Sequence, residues 1–135
     1  MPAQLSAQDS ERLLAAARAA MQRAYAPYSK FYVGAAVLTE GGNLYTGCNV
    51  ENASYGLTNC AERTAIFSAV ASEGPGMKLR AIAVTNAAGV ACSPCGACRQ
   101  VIFEFGPQAA VVFQGEKGFV TTTAAELLPS GFTLL

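Results

Sequence analysis

The stretch TNCAERTAIFSAV at 58–70 sets Glu62 two residues after Cys60, and CSPCGACRQ at 92–100 sets Cys95 and Cys98 in a C-x-x-C spacing. Both stretches put cysteines where helices are about to begin. A thiol at a helix start meets free N–H groups and the positive end of the helix dipole. These lower its pKa and favour the thiolate, the form that binds metals and attacks electrophiles. The sequence holds five cysteines and no histidine. Any metal site must then be built from thiolates and carboxylates, and any general base must be a carboxylate.

Three chemistries compete for these thiols. A redox pair needs only Cys95 and Cys98 and leaves Cys60 and Glu62 without a role. An iron–sulfur cluster uses the C-x-x-C-x-x-C run from Cys92 to Cys98, with Cys48 or Cys60 as a fourth ligand. A zinc site takes Cys60, Cys95 and Cys98 and leaves its fourth position open for catalysis; a structural zinc site fills that position with Cys48 or Cys92. Glu62 favours the open zinc site. Beside a metal that makes hydroxide available near neutral pH, an unligated carboxylate can ferry protons, whereas an electron-transfer cluster gains nothing from it. Taken alone, Glu62 reads as an acid favouring a helix N-terminus. Cys48, inside a strand, reads as a small buried hydrophobe, and the role of Cys92 in the approach loop stays open.

The elements that must position these groups follow from periodicity. Ser6 and Asp9 form a capping pattern ahead of Leu14, Ala17, Met21 and Ala24 at helical spacing, with Pro27 as the stop. FYVGAAVLT at 31–39 and LYTGCNV at 44–50 read as a hairpin around the turn residues EGGN. A helix runs from Ala61 to Ala71 and closes at EGPG; LRAIAVT at 79–85 is a buried strand. Pro94 opens another helix to Phe105, followed by strands at 109–113 and 119–122 and a short helix at AAELL. That order predicts one domain over residues 1–135, an α/β sandwich with a mixed sheet of about five strands between helices.

Composition narrows the partners. The chain is 52% hydrophobic and only 13% charged, with a formal net charge of zero, so part of its surface is expected to be covered in an oligomer. The nine basic residues are scattered, so neither a nucleic acid nor an anionic membrane is an expected partner. The longest uncharged run, 81–98, is broken by Asn86, Gly89, Ser93 and Pro94 and is no membrane span. MPAQLSAQDSER has no basic n-region and no apolar h-region, so no secretory leader is expected and a cytoplasmic location fits the thiols.

The combination of CAE at 60–62 with PCGAC at 94–98 resembles the signature of zinc nucleoside and nucleobase deaminases in its all-cysteine form. The likeness extends through AYAPYSKFYVGAAV at 24–37, CNVENASYG at 48–56, CAERTAI at 60–66, SPCGACRQV at 93–101 and ELLPSGF at 126–132. Over nearly its whole length the chain is similar to cytidine deaminases of the small homotetrameric type. The resemblance implies a three-layer α/β/α sandwich with a five-stranded mixed sheet. It implies one Zn²⁺ per subunit and hydrolysis of cytidine or deoxycytidine to uridine or deoxyuridine and ammonia, a step of pyrimidine salvage. Blasticidin-S deaminase shares PCG-CRQ and ELLPSG but lacks the NVENASY run seen here at 49–55, so a nucleoside substrate is preferred.

The resemblance also implies roles. Cys60, Cys95 and Cys98 bind zinc. Glu62 takes a proton from the attacking water, gives it to the pyrimidine N3 and then helps the amine depart. The N–H of Ala61 holds the pyrimidine O2 and Phe31 stacks on the base. Asn49 and Glu51 grip the ribose 3′-hydroxyl, Ala53 and Tyr55 close over neighbouring sites from an adjacent subunit, and Phe132 lines another subunit's pocket. Arg63 and Arg99 donate hydrogen bonds to the zinc-bound sulfurs and draw charge off the metal. Both arginines sit in first helical turns, where the dipole disfavours a cation unless something repays it.

Overall fold

The computed structural model describes residues 5–135. The expectation of no secretory leader rests partly on residues 1–4, which lie outside those described. Helix α1 (Ala7–Met21) begins at Ser6, whose Oγ accepts a hydrogen bond from the Asp9 N–H at 3.0 Å, the expected cap. It ends well short of Pro27. Residues beyond Met21 leave the helix because Tyr25 pairs instead with the 49–51 segment: its N–H reaches Asn49 O at 3.0 Å, and Glu51 N reaches Tyr25 O at 2.8 Å.

Strands β1 (Val33–Thr39) and β2 (Leu44–Cys48) form the expected antiparallel hairpin, with Gly42 at φ 88° supplying the left-handed turn residue. Helix α2 (Ala61–Glu73) ends at Gly74, whose φ of 84° is the glycine-favoured stop anticipated at EGPG. Strand β3 (Leu79–Asn86), helix α3 (Gly96–Phe105), strands β4 (Ala110–Gly115) and β5 (Gly118–Thr123), and helix α4 (Ala124–Leu127) complete the chain. A 3-10 turn at Tyr55–Leu57 was not anticipated. Pro94 does not open α3; Cys95 is the N-cap and the helix starts at Gly96.

The sheet order is β2-β1-β3-β4-β5, with β3 and β4 parallel and the other neighbours antiparallel. Side chains alternate across it. Ala35, Val37, Ile82, Val84 and Val111 face one way and pack with Ala65, Ile66 and Ala69 of α2 and Ile102 of α3. Ala36, Leu38, Ala81, Ala83 and Val112 face the other way and pack with Leu13, Leu14 and Ala17 of α1. The result is the expected α/β/α sandwich, with central strands buried on both faces.

Two glycines set how closely the helices approach. A Cβ on Gly47 of β2 would strike the backbone of α2 at Ala61, Thr64 and Ala65. A Cβ on Gly34 of β1 would strike Ala17 and Met21 of α1. Backbone-to-backbone contact at Gly47 seats the first turns of α2, and with them Cys60 and Glu62, directly on the sheet.

Candidate active site and metal centre

The site lies where β1 begins, where β3 ends (Val33 pairs with Asn86), and where the N-termini of α2 and α3 converge. Cys60 is the N-cap of α2 in an extended conformation, with no side-chain cap bond that would occupy its sulfur. Cys95 caps α3, its Sγ accepting from the Cys98 N–H at 3.5 Å. Cys98 sits in the first turn of α3, fully buried. The three sulfurs lie within 4.8 Å of one another, with Cys60 and Cys95 4.0 Å apart.

That spacing fits zinc. Tetrahedral coordination with Zn–S bonds of about 2.3 Å puts sulfurs about 3.8 Å apart. Cys48 and Cys92 stand outside the group, so the described residues supply three thiols rather than four. This is the donor set of an open site, and neither a closed structural site nor a four-cysteine cluster is assembled. Cys48, expected as a small buried hydrophobe, is instead only half-buried and lines a separate groove with residues of α1. Cys92 faces the site without joining the triad.

Electrostatics match the donor set. A hydrogen bond from Cys98 does most to hold the Cys60 thiol down at about 5, and Arg63 adds to it. The same bond pushes Cys98 up, because that thiol keeps the shared proton. Binding a dication to such a cluster displaces protons, so the three thiols are prepared to become thiolates. Arg63 reaches back to Cys60 Sγ with a guanidinium N···S distance of 3.2 Å, as expected, and its Nε is buried without a partner among the described residues.

Arg99 requires a correction. The resemblance placed it on a zinc-bound sulfur, but its guanidinium donates to oxygens: Nε to Pro94 O at 2.7 Å and the two terminal nitrogens to Leu127 O at 3.0 Å and Ser93 Oγ at 2.9 Å. A carbonyl is a better acceptor than a sulfur, and α4 delivers one to Arg99. Arg99 therefore braces the loop carrying Cys95 against α4.

Glu62 projects into the same cavity and is only 5% exposed. Burial, reinforced by the charge of Cys60, raises its pKa to about 7, the range in which a carboxyl can both accept and give a proton near neutrality. The cavity measures about 200 Å³ and is lined by Phe31, Asn49, Cys60, Ala61, Glu62 and Cys95, among others. Most of the expected residues thus meet at one place. Sequence reasoning missed Asn86, which lines the cavity and also clasps Val90 through its side chain (2.9 and 3.1 Å), holding the loop that leads to Cys92. The Asn-Ala-Ala-Gly run at 86–89 carried that signal as a turn.

Asn49 is buried and already engaged. Its Oδ1 accepts from Val33 N at 2.9 Å and its Nδ2 donates to Phe31 O at 2.8 Å, which leaves one N–H spare. Glu51 lines an adjoining cleft with Tyr28, Ser29, Tyr55 and Thr58. Tyr55 stands out from the surface, edge-on to Tyr28 at 6.3 Å between ring centroids. Ala53 and Phe132 are exposed and lie outside the lining of this chain's own cavity; Phe132 is tethered by its carbonyl, which accepts from Gln100 at 3.3 Å.

An α/β/α sandwich that gathers three thiols and an insulated carboxylate at the ends of two helices has the constitution of a metal-dependent hydrolase with a cysteine zinc site. Comparison with known proteins makes this specific. Residues 7–114 match the family described as "Cytidine and deoxycytidylate deaminase zinc-binding region", and the chain belongs to that family. It is 50% identical over 127 residues to a cytidine deaminase of Sporosarcina psychrophila, covering 93% of this chain and 92% of the relative. It is 48% identical over 127 residues to the cytidine deaminase of Halalkalibacterium halodurans, covering 93% and 95% respectively. The crystal structure of cytidine deaminase from Burkholderia pseudomallei superimposes with a TM-score of 0.83 at 52% identity, covering 90% of this chain and 98% of that one.

Proposed function

We propose that this chain is a zinc-dependent deaminase that converts cytidine and deoxycytidine to uridine and deoxyuridine with release of ammonia. The observation that carries the reading is the buried Glu62 in the cavity formed beside the Cys60, Cys95 and Cys98 thiols. Cys60, Cys95 and Cys98 would hold the zinc ion, which would act as a Lewis acid and lower the pKa of water beside Glu62 toward neutrality.

The chain's own residues do the rest. Glu62 accepts one proton of the attacking water and delivers it to N3 as C4 is attacked; it then takes the proton of the new C4 hydroxyl and passes it to the amine, which leaves as ammonia as the C4 carbonyl forms. One carboxyl serves both directions because its raised pKa leaves neither form strongly favoured. The N–H of Ala61, in the first turn of α2, has no partner within the helix and is available to the pyrimidine O2. Phe31 covers one face of the base. The spare N–H of Asn49 and the one unengaged lone pair of Glu51 hold the sugar 3′-hydroxyl.

The active form we propose is a homotetramer, with Ala53, Tyr55 and Phe132 completing pockets of neighbouring subunits. In its support, Tyr55 is 77% exposed, Leu57 70% and Phe132 66%, an apolar surface costly to leave in water. No helix among the described residues is long and apolar enough to cross a membrane. A reducing compartment such as the cytoplasm keeps ligating thiols available.

A substrate panel tests the reading. Cytidine and deoxycytidine should be turned over well. Free cytosine, lacking the sugar, and cytidine 5′-monophosphate, whose phosphate Glu51 repels, should be poor. Comparable kcat/KM for the monophosphate would show that the pocket has been misread.

A further inference from the structure

The loop that enters β1 is held by an arrangement the deamination chemistry does not by itself require. Glu51 Oε1 accepts from the N–H of Tyr28 at 2.9 Å and of Ser29 at 3.2 Å, while Oε2 accepts the Ser29 hydroxyl proton. The same Ser29 oxygen accepts from the N–H of Phe31 at 3.0 Å. One hydroxyl thus joins a carboxylate on one side to the backbone of Phe31 on the other. Between them Lys30 is held at φ 60°, a left-handed conformation that a residue with a Cβ adopts only when its surroundings enforce it. Beyond Phe31, Asn49 fastens the Phe31 carbonyl and the Val33 N–H. The backbone that carries the Phe31 ring is therefore fastened on both flanks, by Ser29 before it and Asn49 after it.

The location of Ser29 gives this arrangement a use. Ser29 and Glu51 line the adjoining cleft, whereas Phe31 lines the cavity with Glu62. A carboxylate offers about four acceptor sites, and three here are taken by Tyr28 and Ser29. A sugar hydroxyl at Glu51 takes the fourth and acts on the same group that fixes Ser29. Glu51 carries a depressed pKa, chiefly through the Ser29 hydroxyl, in keeping with a firmly held anion.

We propose that Ser29 is a positioning residue, linking the sugar-side carboxylate of Glu51 to the pitch of the Phe31 ring over the base. The inference rests on the nucleoside reading given above. It makes Phe31 the route by which Ser29 affects catalysis, so the two residues must be coupled energetically.

The test is a double-mutant cycle in kcat/KM for cytidine using Ser29→Ala, Phe31→Ala and the double variant, with Ser29→Thr as the conservative control. Metal content and Tm are measured on each sample. Ser29→Ala should cost about tenfold in the wild-type background, the loss expected for one charge-assisted hydrogen bond. Ser29→Thr, which keeps the hydroxyl, should recover most of that loss. In the Phe31→Ala background the same serine change should cost about twofold or less, because the ring it positions is gone. An equal tenfold loss in both backgrounds would overturn the inference, as would wild-type kcat/KM in Ser29→Ala. Should Ser29→Ala fail to fold, Ser29→Cys, with its weak thiol donor, carries the same cycle. Wild-type protein without cytidine turnover would refute the functional reading itself; turnover with an additive cycle would refute only the role of Ser29.

Discussion

Arg63 turns its guanidinium back along α2 to lie 3.2 Å from the sulfur of Cys60, while its Nε is buried without a hydrogen-bond partner among the described residues. An unsatisfied buried donor is costly, so the contact with sulfur must matter more than comfortable packing. Three thiolates and one Zn²⁺ sum to a net charge of −1, which makes it harder for the water a metal activates to lose a proton. Arg63 offsets that charge, and with Arg99 committed to oxygens it does so alone among these two arginines.

Arg63→Gln should therefore lower kcat, weaken zinc retention and move the rate optimum to higher pH. A unit charge at about 4 Å and an effective dielectric of about 20 is worth about 4 kcal/mol, enough to move a pKa by a couple of units. A pH–rate profile with metal content measured on the same samples checks this; an unchanged profile at full occupancy would mean that Arg63 does not offset the charge of the site.

Glu62→Gln keeps the shape of the side chain but cannot accept a proton. Turnover should fall by at least ~10²–10⁴ with zinc still bound. The metal-free protein should respond oppositely. Burial raises the Glu62 pKa from 4.5 to about 7, so the folded state binds more protons than the unfolded state between those values. Stability is therefore lost as pH rises through this window. Above it the ionised, buried carboxylate costs on the order of 3 kcal/mol. Chelated Glu62→Gln should thus melt higher than chelated wild type at pH 8, and the two should converge near pH 4. Equal melting at both pH values would contradict the assigned burial cost.

The thiols should report metal removal selectively. Cys95 is exposed and Cys60 half-buried, whereas Cys98 is fully buried. With zinc present, alkylation should reach Cys92 first and spare the three ligands. After chelation Cys60, whose thiol is held near 5, should become the most reactive at mildly acidic pH, with Cys98 still protected. Peptide mapping of alkylated cysteines decides the order. Alkylation of Cys98 ahead of Cys60 would mean that the burial or the thiol assignment is wrong.

The metal and proton groups were legible because their signal is local. Cys60 and Glu62 share one helix start, Cys95 and Cys98 another, and helix starts are written in short patterns. The central strands were legible for the same reason, as short apolar runs bounded by turn residues. What escaped depends on partners far along the chain. Arg99 chooses its acceptors because α4 brings in Leu127 O, 28 residues away. The end of α1 is fixed by Tyr25 pairing with the 49–51 segment, not by Pro27. The grip of Glu51 on Ser29 spans 22 residues and has no signature in either neighbourhood.

Assembly is testable at Phe132, which lies outside its own chain's cavity. Light scattering should give four chains per particle, and Phe132→Ala should lower kcat/KM by about tenfold, the order of a buried aromatic contact. A fully active monomer at assay concentration would contradict the shared-pocket arrangement.

The central claim is that Cys60, Cys95 and Cys98 hold a zinc ion that, with Glu62, deaminates cytidine. The most direct measurement strips the purified protein with a chelator and returns zinc in steps while the ultraviolet change on loss of the amine is followed with cytidine. Activity should be absent at the start, rise linearly, and level off at one zinc per chain. Full activity in the stripped protein, or a coloured cluster and no cytidine turnover at full metal loading, would contradict the account.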